Sequence, residues 1–337
     1  MRQTVLAIGC SAFLAGCGNV TQPPVATMAH EASDIHAAAR GRGTWKLVTL
    51  PGYPHGIVRA KNGDYWVADG DQTDTLSRVT PGGKVTTYSI GYTPYEIAID
   101  GGGNFWLTNA TFTSKLIKVT PKLNVTAYQL GDATCGGVIL GGDGNVWFAE
   151  NTHIGKMTPG GKLTEYPVQG ANVYAGTGLA WSRGLLWFQS ETALASLDPV
   201  SGDVKFYNYR AFNTGPIAAA RDGTLWFTTF PGSAPVLVGF NPKKSAFATY
   251  TAPASYGPGD GPAGMILSND GRALWYSARH VVKQNVYGGA VRFDFASKRF
   301  TAYAAPAGYD WDWDIIETPR GNIWTTGGGV QILDPGK

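Results

Sequence analysis

Seven tryptophans recur along this chain at nearly constant intervals, and they restrict its fold more than any other feature. Trp66, Trp106, Trp147, Trp187, Trp226, Trp275 and Trp324 stand 40, 41, 40, 39, 49 and 49 residues apart, the spacing of propeller blades. The clearest copy of the repeat, Gly141 to Val168, reads GGDGNVWFAENTHIGKMTPGGKLTEYPV. It predicts a turn at Asp143-Gly144, a short apolar strand on Trp147, a loop, a strand ending at Thr158-Pro159, a Gly160-Gly161 turn and a strand closing on Tyr166. Ahead of each tryptophan lies another short apolar strand, such as Gly56-Ile57-Val58 or Gly264-Met265-Ile266-Leu267. The fold class is therefore all-β, a seven-bladed β-propeller of four-stranded antiparallel blades.

Outer strands carry Tyr88, Tyr128, Tyr166, Tyr207, Tyr250 and Tyr303, so six tyrosines serve seven blades. After Trp324 there is room for one more strand, Val330 to Leu333, before the chain ends at Lys337. At the other end, Thr44 to Leu50 has the outer-strand pattern of Lys84 to Ile90. The N-terminal strand is thus predicted to complete the last blade, which pairs the edges that would otherwise be open to aggregation.

Residues 1–16 read as a secretion signal: Arg2 followed by an apolar run too short to span a bilayer as a mature helix. Its end, Leu14-Ala15-Gly16-Cys17, resembles the lipobox of bacterial lipoproteins, which implies cleavage before Cys17 and lipidation of its thiol. Gly18 in place of Asp implies, by the same resemblance, the outer membrane of a Gram-negative cell, on its periplasmic side. Residues 17–43 are then the lipidated cysteine and a flexible tether rich in Pro, Ala, Thr and Gly, and residues 44–337 the propeller. Cys10 leaves with the signal, so Cys135 stands alone and no intrachain disulfide is available. It is either a nucleophile or a buried small residue.

Lys and Arg number 27 and Asp and Glu 24, giving +3, with no basic run or stripe; nucleic acid is not an expected partner. Only 15% of residues are charged and 46 are glycine, as suits short strands joined by tight turns. The expected state is a monomer.

In a propeller blade, the start of strand one, the end of strand two and the loop into strand three share one face of the disc. The tryptophan register puts His55, Tyr95, Gly136, Thr177, Gly215, Ala263 and Trp313 at the first of these positions, and Asp69, Asn109, Glu150, Ser190, Thr229, Ala278 and Gly327 at the second. His153 and His280 fall in the loops into strand three. In Pro54-His55-Gly56 the glycine permits close approach, and His55 is the candidate base. Asp69, Asn109 and Glu150 offer oxygen ligands suited to a hard cation, Mg²⁺ or Ca²⁺, or else cap strand ends. Glu96, beside Tyr95, is a further candidate for the channel. The run Asp310-Trp311-Asp312-Trp313-Asp314 lies at the same mouth, and strict alternation would present either its carboxylates or its indoles. Either set suits a sugar or flat cyclic ligand, or the indoles seal the ring. The predicted ligands at the mouth are Tyr95, Glu96, His153, His280, Asp312 and Trp313, with a small molecule, glycan or peptide as partner.

The blade phrase, Trp-Phe-x-Glu followed by IGKMTPGGKLTEYP, resembles the virginiamycin B lyase-like (streptogramin lyase) family of seven-bladed propellers over residues 44–337. The resemblance implies elimination chemistry on a cyclic depsipeptide ester, with a divalent metal polarising the carbonyl and a histidine as base. Pro54-His55-Gly56 matches that family's His-Gly step. Where the family has Glu-x-His and a later glutamate in the next blade, this chain has Thr93-x-Tyr95 and Asn109. Two functions follow: a binding or scaffolding lipoprotein of the envelope, or a metal-assisted lyase or hydrolase of a lactone or cyclic ester. Gluconolactonase-like propellers, with Glu, Asn and Asp around one cation, exemplify the second.

Overall fold

The computed structural model describes residues 39–336 except 71–72, 110–113, 133–135, 169–172, 174–177, 191–192, 210–214, 230–235, 253–263, 279, 283–284 and 307–312. Cys17, Cys135, Thr177, Ala263 and Asp312, singled out above, lie outside the described residues. Every regular element among the described residues is a strand. They form seven four-stranded antiparallel blades, of which the sixth gains a fifth strand, Ala39–Arg40, in parallel with Phe300–Ala304.

The third blade shows how the repeat folds. Val138–Leu140, Val146–Ala149, His153–Met157 and Leu163–Pro167 pair in sequence order, with Trp147 opposite Ile139 and Lys156. Its hairpins turn at Gly144 (φ 78°) and Gly161 (φ 87°), left-handed conformations that a β-carbon would strain. First strands touch in cyclic order, from Ile57–Arg59 against Pro94–Ile99 round to Ile315–Glu317, which meets Ile57–Arg59 again. In the seventh blade the order is Thr44–Val48, Val330–Asp334, Ile323–Thr326, Ile315–Glu317, with Thr44 opposite Asp334 and Val48 opposite Val330. A hairpin of His280–Val282 and Asn285–Tyr287 sits between the second and third strands of blade six, lengthening the interval between Trp275 and Trp324.

The core lies between blades. Trp106 and Ala98 of blade two, for example, pack with Val138, Val146 and Phe148 of blade three. Within each of blades one to six the tryptophan also faces its own outer-strand tyrosine, at centroid distances of 5.4 to 5.8 Å. The seventh, Trp324, has no such tyrosine and stacks at 4.0 Å on Tyr65 of blade one instead.

Candidate functional site

Innermost strands are irregular where they begin at the axis, and in blades two and seven the residues concerned build the mouth. In blade two, Pro94 pairs with Asn109 and the next pair is Ile97 with Leu107, so Tyr95 and Glu96 occupy the length that one residue would normally fill. Gly56 donates its N–H to the Tyr95 carbonyl (3.0 Å), and Glu96 donates its own to the Thr108 hydroxyl (3.2 Å). Blade seven repeats the device: Trp313 donates to the Thr326 carbonyl (2.7 Å) and Asp314 to the Thr326 hydroxyl (3.0 Å). Each hydroxyl then donates onward to the next blade, Thr108 to the Gly136 carbonyl and Thr326 to the His55 carbonyl.

A consequence is that strict alternation fails at both breaks. The first strand of blade seven begins only at Ile315, and Trp313 and Asp314 both line the axial cavity, as do Tyr95 and Glu96. The expectation that either carboxylates or indoles would face the mouth is corrected: one of each does, because the residues precede regular pairing.

The cavity has a volume of about 290 Å³. At the position of Glu96 and Asp314 the other blades carry Gly56, Gly137, Gly178, Pro216 and Gly264. Crowding explains the glycines: a β-carbon on Gly264 would lie 2.7 Å from the Asp314 Cα and 2.6 Å from the Ile315 nitrogen. Below this level the wall is aliphatic, with Ile97, Leu179, Ile217 and Met265. The cavity's only ionisable side chains among the described residues are Tyr95, Glu96 and Asp314.

The two carboxyl groups differ in their support. Asp314 accepts from the Ile57 N–H (2.9 Å) across the seam between the last blade and the first, and from the Ile315 N–H (2.8 Å). Burial pushes its carboxyl up to about 6, against those two bonds. Glu96 is raised well above the usual carboxylate range, first by burial and then by the Asp314 charge. Of the two, Glu96 is the one that the Asp314 charge disfavours as a carboxylate.

His55 is 1% exposed. Its ring lies 4.2 Å from that of Tyr95 and 4.7 Å from that of Trp313, and a β-carbon on Gly70 would overlap it. It sits behind the aromatic rings rather than on the cavity wall. The structure thus brings together His55, Tyr95, Glu96 and Trp313.

Asp69, Asn109 and Glu150 are buried and do not line the cavity among the described residues. Asp69 turns outward along its blade, accepting from Thr75 (3.0 Å) and Ser77 (2.6 Å); burial pushes it up to about 6, and those bonds oppose the shift. Glu150 accepts from the Asp132 N–H (3.2 Å), while its other oxygen is buried without a hydrogen bond. Burial, and then the Glu165 charge, push it up to about 8. His153 starts the third strand of its blade and shares a hydrogen bond with Thr152 (2.9 Å). His280 opens the inserted hairpin.

Among the described residues no three His, Cys, Asp or Glu side chains gather into a group that could hold a metal, and Asp69 Oδ1 and Glu150 Oε1 are each buried without a hydrogen bond.

Sequence reasoning left Asp314 without a role of its own and missed Thr108 and Thr326. The signal was present, since a threonine two residues after the tryptophan recurs at Thr108, Thr228 and Thr326.

Solved structures similar to this one agree on the fold. A catalytically inactive virginiamycin B lyase from Staphylococcus aureus, with quinupristin, aligns with a TM-score of 0.71 at 19% identity, covering 87% of this chain and 99% of that one. The extracellular domain of a protein described as a hybrid two-component system from B. thetaiotaomicron gives 0.63 at 16%, over 86% and 41%. A gluconolactonase from Xanthomonas campestris gives 0.55 at 13%, over 88% and 90%. No curated protein matches the chain in sequence. Residues 37–194 and 91–332 both match the profile of the Virginiamycin B lyase family, which between them takes in all seven tryptophan repeats. The chain belongs to the Virginiamycin B lyase family.

Proposed function

We propose that this protein is an exported propeller, held to the cell envelope by lipid on Cys17, that binds a small ligand at its axial mouth. The observation that carries the reading is the asymmetry of the axial cavity. Five of the seven blades present glycine or proline at one level, and two adjacent to blade one present Tyr95-Glu96 and Trp313-Asp314. Aromatic faces and a few convergent polar groups over an apolar wall are the makings of a ligand pocket. The tethered, single-domain arrangement suits a binding protein of the envelope, and the extracellular domain with the same fold is in keeping with export.

A second reading, a lyase or hydrolase of a cyclic ester, draws on family membership and on the quinupristin complex of the related fold. His55 would be its base, although the ring must first be uncovered from Tyr95 and Trp313.

A crystallographic fragment screen on the purified full-length protein tests the binding reading. Fragments should cluster in the axial cavity against Tyr95 and Trp313, and the cluster should vanish in Trp313→Ala. Hits scattered over the outer surface, with an empty cavity, would sink it. Incubation with quinupristin and Mg²⁺, followed by chromatography, separates the second reading: ring opening that His55→Ala abolishes would establish the lyase.

A further inference from the structure

We propose that the axial cavity takes a small organic cation, its ammonium group between the carboxyl groups of Glu96 and Asp314 and its hydrocarbon part against Trp313 and the aliphatic wall. The inference rests on the reading of the mouth as a ligand site.

Charge is the first argument. Both carboxyl groups open into one cavity whose described wall holds no lysine, arginine or histidine. An anion would meet repulsion there and find no cationic side chain among the described residues. Among the described residues a metal ion would find two carboxyl groups and no third donor of the His, Cys, Asp or Glu kind. A monovalent ammonium needs fewer ligands and tolerates an apolar surround, provided its charge is matched.

The second argument is that a structural role accounts for Asp314 and not for Glu96. Asp314 ties the seam through the Ile57 and Ile315 N–H groups. Glu96 sits in the equivalent break, yet its carboxyl has no hydrogen-bond partner among the described residues. It is half-buried, and what it exposes lies on the cavity wall. Its carboxyl is thus not held by the fold and is open to a donor that enters the cavity. An ammonium would supply that donor and favour the charged form of Glu96.

Size and shape agree. A volume of about 290 Å³ holds roughly ten waters at ~30 Å³ each, enough for an amine of on the order of ten heavy atoms. Trp313 and Tyr95 line the cavity beside the carboxyl groups, and aromatic rings also attract cations. The groups facing Glu96 are thus Asp314 from blade seven, Tyr95 from its own strand and, behind that ring, His55 from blade one.

The test is calorimetry at pH 7.5 on the purified full-length protein with benzylamine and, as the neutral analogue of like shape, benzyl alcohol. Benzylamine should bind one to one, at least tenfold tighter than benzyl alcohol. In Glu96→Gln that advantage should shrink at least tenfold. The variant removes no seam bond, and an unchanged melting midpoint confirms that it folds. Equal affinity for the two probes, or an amine affinity indifferent to Glu96→Gln, overturns the inference while leaving a ligand site in place. Binding of neither probe overturns the inference and the axial-site reading together.

Discussion

Burial of carboxyl groups sets this protein's response to pH. Glu150 ordinarily titrates at 4.5 and is pushed up to about 8. The folded state therefore holds a proton that the unfolded chain gives up at lower pH. Its contribution to stability is full below about pH 4.5 and is lost as pH rises through 8. We expect the urea midpoint of the wild type to fall between pH 5 and 8 by more than that of Glu150→Gln, which has no proton to lose; parallel curves would refute the assignment. Thr326 works at the same scale. Its hydroxyl accepts from Asp314 and donates to the His55 carbonyl, joining the last blade to the first. Thr326→Val leaves both groups unsatisfied and should cost ~1–3 kcal/mol, whereas Thr326→Ser should recover most of it. Denaturant melts of the two variants check this.

Within a blade, the pairing of second-strand tryptophan and outer-strand tyrosine is the unit that repeats. Trp147 is fully buried, 5.6 Å from Tyr166, and Lys156 lies 5.3 Å above its ring. Removing such a side chain leaves a cavity between blades, so Trp147→Ala should cost ~3–5 kcal/mol. A double-mutant cycle with Tyr166→Ala should return a coupling of ~0.5–1.5 kcal/mol; additivity within error would mean that the pair merely shares a core. This unit was legible in the sequence because tryptophan and tyrosine recur at fixed offsets, and six of the pairs stand where the offsets put them. The seventh was not: Trp324 turns to Tyr65 of the neighbouring blade, a contact between residues far apart in sequence that no periodicity encodes. The site was legible in part. The offset from each tryptophan located His55, Tyr95 and Trp313, which meet, but it could not say which way side chains point. Asp69, three positions after its tryptophan, turns along its own blade toward Ser77.

Taken as a ring, the molecule depends on how its ends meet. Thr44–Val48 covers the outer edge of Val330–Asp334. A chain starting at residue 49 would leave that strand as an open edge, which promotes association. It should melt at lower temperature and elute as larger species, while a chain starting at residue 39 should behave as the full chain does; size-exclusion chromatography and thermal melts decide. By itself the sequence determined the class and number of blades, since seven tryptophans at intervals near 40 residues require units that can bury their faces only against one another. It also marked the mouth as the place where function would lie. Only the tertiary structure decided which groups share that mouth. Glu96 and Asp314 are separated by most of the chain, and they meet because the ring closes between them. Both project into the cavity because each lies at a break in strand pairing, where the two-residue alternation read from sequence no longer holds.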